Sequence, residues 1–273
     1  MTHQQVFINE NFYAEKDAHI LINDMAVQRG YGIFDFFKTL NGKPIFLDRH
    51  LNRFFNSAKF MHLPVAYSRE KLTEIIQELM QLNQIENSGI RITLTGGYAA
   101  DGYSVAAPNI MITQQPLNLN PPESIQLITH EFQRQLPHVK TIDYLMAVHL
   151  RPLVQAHQAN EVLYCSNSEI RECPRANFFL VTPDRKIITQ KDKILEGITR
   201  QILLEMGSVD DFTISTENIS IDAIKNATEA FITSTTIGVQ PVTAIDGLPV
   251  GNGAIGIISK KLQEKLKEKM FQN

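Results

Sequence analysis

The sequence predicts an α+β fold in two domains, and three observations carry that prediction. Short strands of alternating apolar and polar residues share each half of the chain with amphipathic helices. A proline-rich, weakly periodic segment, Pro116-Leu117-Asn118-Leu119-Asn120-Pro121-Pro122-Glu123, falls between the halves and reads as a linker. The length, 273 residues, is enough to bury two cores. The boundaries expected are a first domain over 1–117, a linker over 118–123 and a second domain over 124–273.

Taken in order, Val6-Phe7-Ile8, a polar turn at Asn9-Glu10-Asn11 and Ala18 to Ile22 read as a hairpin. Glycines at Gly30 and Gly32 give way to an alternating strand ending at Leu40, and Asn41-Gly42 turns it back. Pro44 to Leu47 is a short strand. Asp48 is then the expected N-cap of a helix from Arg49 to Met61, whose Leu51, Phe54, Phe55, Ala58 and Met61 recur at helical spacing. A second helix is expected over Ser68 to Asn83, striped by Leu72, Ile75, Ile76 and Leu79. Strands at Ile90–Thr95 and Asn109–Ile112 complete the first half. The second half is expected to hold strands at Ile125–His130, Glu161–Tyr164, Asn177–Val181, Lys186–Thr189 and Ala230–Ser234. Its helices are expected at Asp143–Ala159, Thr199–Met206, Ile221–Asn226 and Ala254–Phe271.

Composition excludes several functions. A net charge of -3 with no basic run argues against a nucleic-acid footprint or an anionic-membrane anchor. No apolar stretch approaches the roughly 20 residues that span a bilayer. Met1 to Gln5 lacks a basic segment followed by an apolar one, so no secretory signal is expected. Cys165 and Cys173 are too few for a disulfide framework and fit no zinc spacing; reduced thiols and a cytoplasmic location are expected. No pair among the eight histidines has metal-ligand spacing, and no nucleophile elbow or mononucleotide phosphate loop is present.

Three features point to chemistry. Lys140 stands between an apolar approach and a helical pattern; Glu172 precedes the strand through Phe178-Phe179; Gly197 runs directly into the helix beginning Ile198-Thr199-Arg200. An amine for an imine, a carboxylate for a pyridinium nitrogen and a helix N-terminus for a phosphate are what a pyridoxal phosphate enzyme needs. Each residue alone is bland: a lysine is usually solvated, a glutamate before a strand is usually a turn residue. Their order and spacing, Lys140, then Glu172 within Glu-x-x-x-x-Asn-Phe-Phe, then Gly197-Ile198-Thr199-Arg200, resemble class IV aminotransferases, the fold-type-IV pyridoxal phosphate enzymes, over nearly the whole chain.

That resemblance implies a two-domain fold with pyridoxal 5'-phosphate in the interdomain cleft and a homodimer as the working unit. It implies Lys140 as the imine-forming lysine and general base, and Glu172 as the partner of the ring nitrogen. Ile198 and Thr199 fall at the phosphate-binding helix start, Thr235 in Ser234-Thr235-Thr236 at a second phosphate contact, and Leu195 against the cofactor ring. Arg53, which by itself reads as a surface arginine beside a core stripe, matches the family's phosphate-binding arginine through His50-Leu51-Asn52-Arg53. Asn177 and Arg171 are candidate supports of Glu172, and Tyr144 a candidate partner of the cofactor's phenolic oxygen. The function expected is amino-group transfer from an amino acid to a 2-oxo acid, of D-amino-acid or branched-chain type. The alternatives are an aminodeoxychorismate lyase on the same scaffold and a cofactor-binding protein without catalysis. Two departures matter. The usual Gly-Asp-Gly before the first long strand reads Gly30-Tyr31-Gly32. The loop after Thr95 reads Gly96-Gly97-Tyr98-Ala99-Ala100-Asp101-Gly102-Tyr103, without the Arg-x-His pair of the better-known D-amino-acid aminotransferases. A substrate carboxylate needs a cationic partner, and Arg29 and Arg175 are placed to supply one.

Overall fold

The computed structural model describes residues 4–118 and 120–271; Met1 to His3, and Leu119 within the expected linker, lie outside the described residues. The chain divides into two compact units. The first is Met1–Asn118 with Val139–Asp143, and the second is Leu119–His138 with Tyr144–Asn273. The segment carrying Lys140 therefore belongs with the first unit, whereas the sequence assigned all of 124–273 to the second domain. The reason is backbone pairing: Phe34 donates to the Lys140 carbonyl at 2.9 Å, Ile142 donates to Gly32 at 3.1 Å, and Ile33 bridges Thr141.

In the first unit, β1 (Gln5–Ile8), β2 (Asn11–Ala14), β3 (Gly32–Leu40), β4 (Lys43–Pro44), β5 (Ser88–Thr95) and β6 (Ile110–Pro116) form one sheet in the order β2-β1-β6-β5-β3-β4. The opening hairpin is tighter than expected. Asn9 adopts φ 54° in a two-residue turn, so Asn11–Ala14 pairs with β1 and residues 18–22 form no strand. Alternation along β3 sends Ile33 and Phe37 into a core shared with Leu51, Phe54, Leu72 and Ile76 of two helices. These are α2 (Leu47–Phe60) and α3 (Arg69–Asn83); α1 (Met25–Arg29) is a short turn before β3. Ser68 caps α3, its Oγ accepting from the Lys71 amide at 3.2 Å. Asp48 does not cap α2: the helix starts two residues earlier than expected, at Leu47 after Phe46 in a left-handed conformation, and Asp48 sits in its first turn.

The second unit holds an eleven-stranded sheet. Its strands are β7 (Ile125–Glu131), β8 (Glu161–Ser166), β9 (Glu169–Ile170), β10 (Glu172–Cys173), β11 (Ala176–Val181), β12 (Lys186–Gln190), β13 (Ser208–Val209), β14 (Phe212–Glu217), β15 (Glu229–Ser234), β16 (Gly238–Ile245) and β17 (Leu248–Pro249). The main path runs β13-β14-β12-β11-β15-β16-β7-β8-β9, with β10 on β11 and β17 on β16. Among the longer strands, β14 and β16 go beyond the sequence reading; β16 contains Pro241 and is buried along most of its length. The helix expected over 143–159 is two short ones, α4 (Leu145–His149) and α5 (Arg151–Ala156). Pro152 at the start of α5 explains the break, since it lacks the N–H that a continuous helix requires there. The remaining helices are α6 (Ile198–Met206) and α7 (Ile257–Phe271), with a 3₁₀ segment at Ile221–Asn226.

Candidate functional site

In the first unit, β3 and α2 build a buried charge cluster. Asp35 shares the inward face of β3 with Ile33 and Phe37 and is fully buried. Above it, His50 and Arg53 lie at i and i+3 on α2, so both reach the same carboxylate. Arg53 donates from Nε to Oδ2 at 2.8 Å and from Nη2 to Oδ1 at 2.9 Å, a bidentate clamp. His50 Nδ1 lies 2.7 Å from Oδ1. Burial pushes the Asp35 carboxyl up, but the Arg53 guanidinium and His50 outweigh it and hold the group well below the usual carboxylate range. Burial keeps His50 below the ordinary imidazole value; Asp35 opposes that, and Arg53 and Lys140 add to it. A neutral His50 beside an ionised Asp35 carries its proton on Nδ1 and donates it.

Lys140 is held beside this cluster by its backbone and by Val139, which enters the core of the first unit. Its Nζ stands 4.6 Å from the centre of the Phe34 ring. The Arg91 guanidinium lies 3.7 Å from the same ring, so two cations share one aromatic platform.

In the second unit, the buried Glu172 is fixed at both oxygens. Oε1 accepts from Arg134 Nη1 at 3.1 Å; Oε2 accepts from the Leu195 amide at 3.0 Å and from Asn177 Nδ2 at 3.5 Å. Asn177 ties this acid to the start of α6. Its Nδ2 donates to the Leu195 carbonyl at 2.7 Å, and its Oδ1 accepts from the Gly197 amide at 3.1 Å. Gly197 is the N-cap residue, and a Cβ there would lie 2.2 Å from Asn177 Oδ1, so glycine is what lets the tie form. Ile198 and Thr199 follow as the first buried residues of α6, where backbone N–H groups lack intrahelical acceptors. Arg200 is buried and donates to the Gln190 carbonyl at 2.9 Å. Thr235 is half-buried in the turn between β15 and β16.

The remaining expected residues are spread more widely. Arg171 does not support Glu172: one residue earlier in the chain, it points to Glu169 at 2.6 Å and the Ser166 carbonyl at 3.1 Å. Arg175 is 73% exposed and pairs with Glu161 at 3.2 Å. Arg29 ends α1, exposed, with its guanidinium 5.3 Å from the Tyr103 ring. Tyr144 is half-buried just before α4. The structure adds Asp35, Arg91 and Arg134 to the residues of interest. An acid at an inward position of an apolar strand, 15 residues before the His of His-x-x-Arg, was a readable signal for Asp35. Arg134, shortly before Lys140, carries none. Among the described residues no group of histidines, cysteines and acids could hold a metal, and no helix is long and apolar enough to cross a membrane.

A family model described as amino-transferase class IV matches residues 32–245. The chain belongs to the class IV aminotransferases. It is 29% identical over 270 residues to a D-alanine aminotransferase of Staphylococcus haemolyticus, covering 95% of each chain. A putative branched-chain-amino-acid aminotransferase of Methanocaldococcus jannaschii is 27% identical over 280 residues, 97% of this chain and 96% of that one. Among solved structures, the branched-chain amino acid aminotransferase of T.th. with pyridoxamine 5'-phosphate superposes with a TM-score of 0.91 at 22% identity, covering 99% of this chain and 95% of that one. The pyridoxal-phosphate-bound form of a hypothetical aminotransferase from Mycobacterium tuberculosis gives 0.83 at 18% identity, over 98% and 99% of the two chains. These likenesses place the chain in the fold-type-IV architecture, and this class IV member is an aminotransferase.

Proposed function

We propose that this aminotransferase uses pyridoxal 5'-phosphate to move the amino group of an amino acid to a 2-oxo acid, with Lys140 as the catalytic lysine. The observation that carries the reading is the Asn177 tie. One side-chain amide links a buried, doubly held carboxylate to the N-cap of a helix, which suits an acid for a ring nitrogen and a helix start for a phosphate on the same cofactor. The residues present fit that group. Arg53, the Ile198 and Thr199 amides and the Thr199 and Thr235 hydroxyls are donors suited to a phosphate dianion, and Leu195 is the apolar residue between Glu172 and the helix.

When bound, the cofactor supplies an electron sink that makes the substrate α-proton removable. Glu172, held as an acceptor, would keep the ring nitrogen protonated. With the cofactor bound, the Lys140 amine would be the general base that takes the substrate α-proton. Phe34 provides an apolar face that limits how far the Lys140 amine is hydrated. Arg29 and Arg175 are proposed for the substrate carboxylate; Arg175 would exchange Glu161 for it. The named functions of the sequence relatives support transfer of D-alanine or a branched-chain amino acid rather than a lyase reaction, and a homodimer in the cytoplasm fits the same family. The test is to add D-alanine, L-leucine or L-glutamate to the cofactor-loaded protein and follow the cofactor absorbance. Conversion to the pyridoxamine form with one of them is expected. No conversion with any of the three, together with pyruvate release from aminodeoxychorismate, would replace transfer by the lyase reaction.

A further inference from the structure

We propose that Asp35 and His50 are positioning residues that fix the Arg53 guanidinium for the phosphate of the cofactor. The inference rests on Arg53 being a phosphate ligand. Its support is the shape of the cluster. Exposure rises from 0% at the Asp35 side chain and 1% at His50 to 12% at Arg53, so the acid and the imidazole form a buried stem and the arginine is the member nearest the surface. The stem is also directional. Asp35 engages Nε and Nη2, one edge of a rigid planar fork; planarity then aims the Nη1 side of the fork away from the acid. Arginine is rich in rotamers, and a clamp at two atoms removes most of that freedom before a ligand arrives. His50, 2.7 Å from Oδ1, stops the carboxylate from rotating out of the clamp, and as a neutral ring it adds no charge of its own.

A positioning role and a purely structural one make different predictions. Asp35→Asn removes a negative charge near a site meant for an anion, so simple charge counting expects tighter phosphate binding. Positioning expects the reverse, because the amide cannot hold both edge atoms as acceptor. Loss of fold support expects every form of the cofactor to bind less well. The experiment is therefore to strip the protein of cofactor and titrate it with pyridoxal 5'-phosphate and, separately, with pyridoxal, which lacks the phosphate. For Asp35→Asn the preference for the phosphorylated form should fall about tenfold, with pyridoxal affinity within about threefold of the parent. Arg53→Lys should lose a similar preference, and the double variant should lose no more than Arg53→Lys alone, because the acid acts through the arginine. His50→Gln, which leaves the bidentate clamp in place, should lose about threefold and serves if Asp35→Asn does not fold. Equal losses for both cofactor forms, additive losses in the double variant, or a preference that rises in Asp35→Asn would overturn the positioning role. An Arg53→Lys protein with its preference intact would instead remove Arg53 from the phosphate, a separate failure that the Arg53 arm alone reveals.

Discussion

Asp35 in the first unit and Glu172 in the second are both buried carboxylates, and the two are held in different ways. Asp35 is matched by a full guanidinium through two of its hydrogen bonds, so its charge is spent inside the cluster. Glu172 is held by a backbone amide, a side-chain amide and Arg134 Nη1. The two amides at Oε2 are neutral donors, which orient an anion without cancelling it. Glu172 is thus suited to meet an additional cation, as the proposed pyridinium partner must, whereas Asp35 is suited to hold another residue still. Buried acids look alike in a sequence; these two differ in that the Arg53 guanidinium meets both oxygens of Asp35, whereas Arg134 Nη1 meets Oε1 of Glu172 and neutral amides meet its Oε2.

The largest effect expected on either side of this comparison comes from neither acid. Lys140→Ala should reduce kcat about 10³-fold or more while circular dichroism stays at the parent spectrum, since the side chain rests on Phe34 and the pairing with β3 uses only its backbone. Near-parent turnover would remove Lys140 from the chemistry. Next, Glu172→Gln should lower kcat about 10²-fold with cofactor still bound, because the amide keeps the shape but cannot keep the ring nitrogen protonated. If instead the cofactor is lost and kcat per bound cofactor is unchanged, Glu172 is a support like Asp35 and the contrast between the two acids fails.

A third variant separates the architecture from the acid. Gly197→Ala drives a methyl group into Asn177 Oδ1, so it should cost about 1–3 kcal/mol in denaturant unfolding and weaken cofactor retention without touching the Asp35 cluster. Parent-like stability would mean that Asn177 moves aside freely and that the tie between Glu172 and α6 is loose. Smaller again, Arg29→Ala and Arg175→Ala should each raise amino-acid KM about tenfold and leave cofactor retention near parent values. Unchanged KM for D-alanine and L-leucine in both would return Arg175 to its surface pair with Glu161 and Arg29 to its stacking on Tyr103.

How much of this could be read from the sequence depends on how local the cause is. The stripe on α3 and the alternation along β3 are set by neighbouring residues and were legible. The order of Lys140, Glu172 and Gly197 was legible through the family motif. What failed was non-local or subtle in backbone terms. The segment 139–143 joins the first unit through pairing with a strand more than 100 residues earlier, which no window reveals. The strand Gly238–Ile245 hides behind a proline, and the helix after Tyr144 looks continuous until Pro152 is given its effect. Arg134 reaches Glu172 only in three dimensions.

Strand β3 offers the mildest test of the comparison, because it buries a second ionisable group three residues beyond Asp35. Lys38 is 7% exposed, and among the described residues no acceptor pairs with its ammonium. Burial alone lowers its pKa to about 8. Asp35 has its charge compensated and Lys38 does not, so the two should respond oppositely to neutral replacement. The sign follows from linkage. Between pH about 8 and the unfolded value near 10.4, the unfolded chain binds more protons than the folded one, so stability rises with pH in that window. Below about 8 both states are charged, and the folded state carries a constant cost. Lys38→Met should therefore stabilise the protein at pH 7 by on the order of 1 kcal/mol, with the gain shrinking as pH rises from 8 towards 10. Asp35 runs the other way. Its depressed pKa supplies stability above the unfolded carboxyl value near 4, lost as pH falls below it, and Asp35→Asn should flatten that acid limb. Thermal unfolding of both variants from pH 3 to 10 checks the pair. A Lys38→Met protein less stable at pH 7 would show that the ammonium has a partner in the folded protein, and that burial without compensation is the wrong description of this strand.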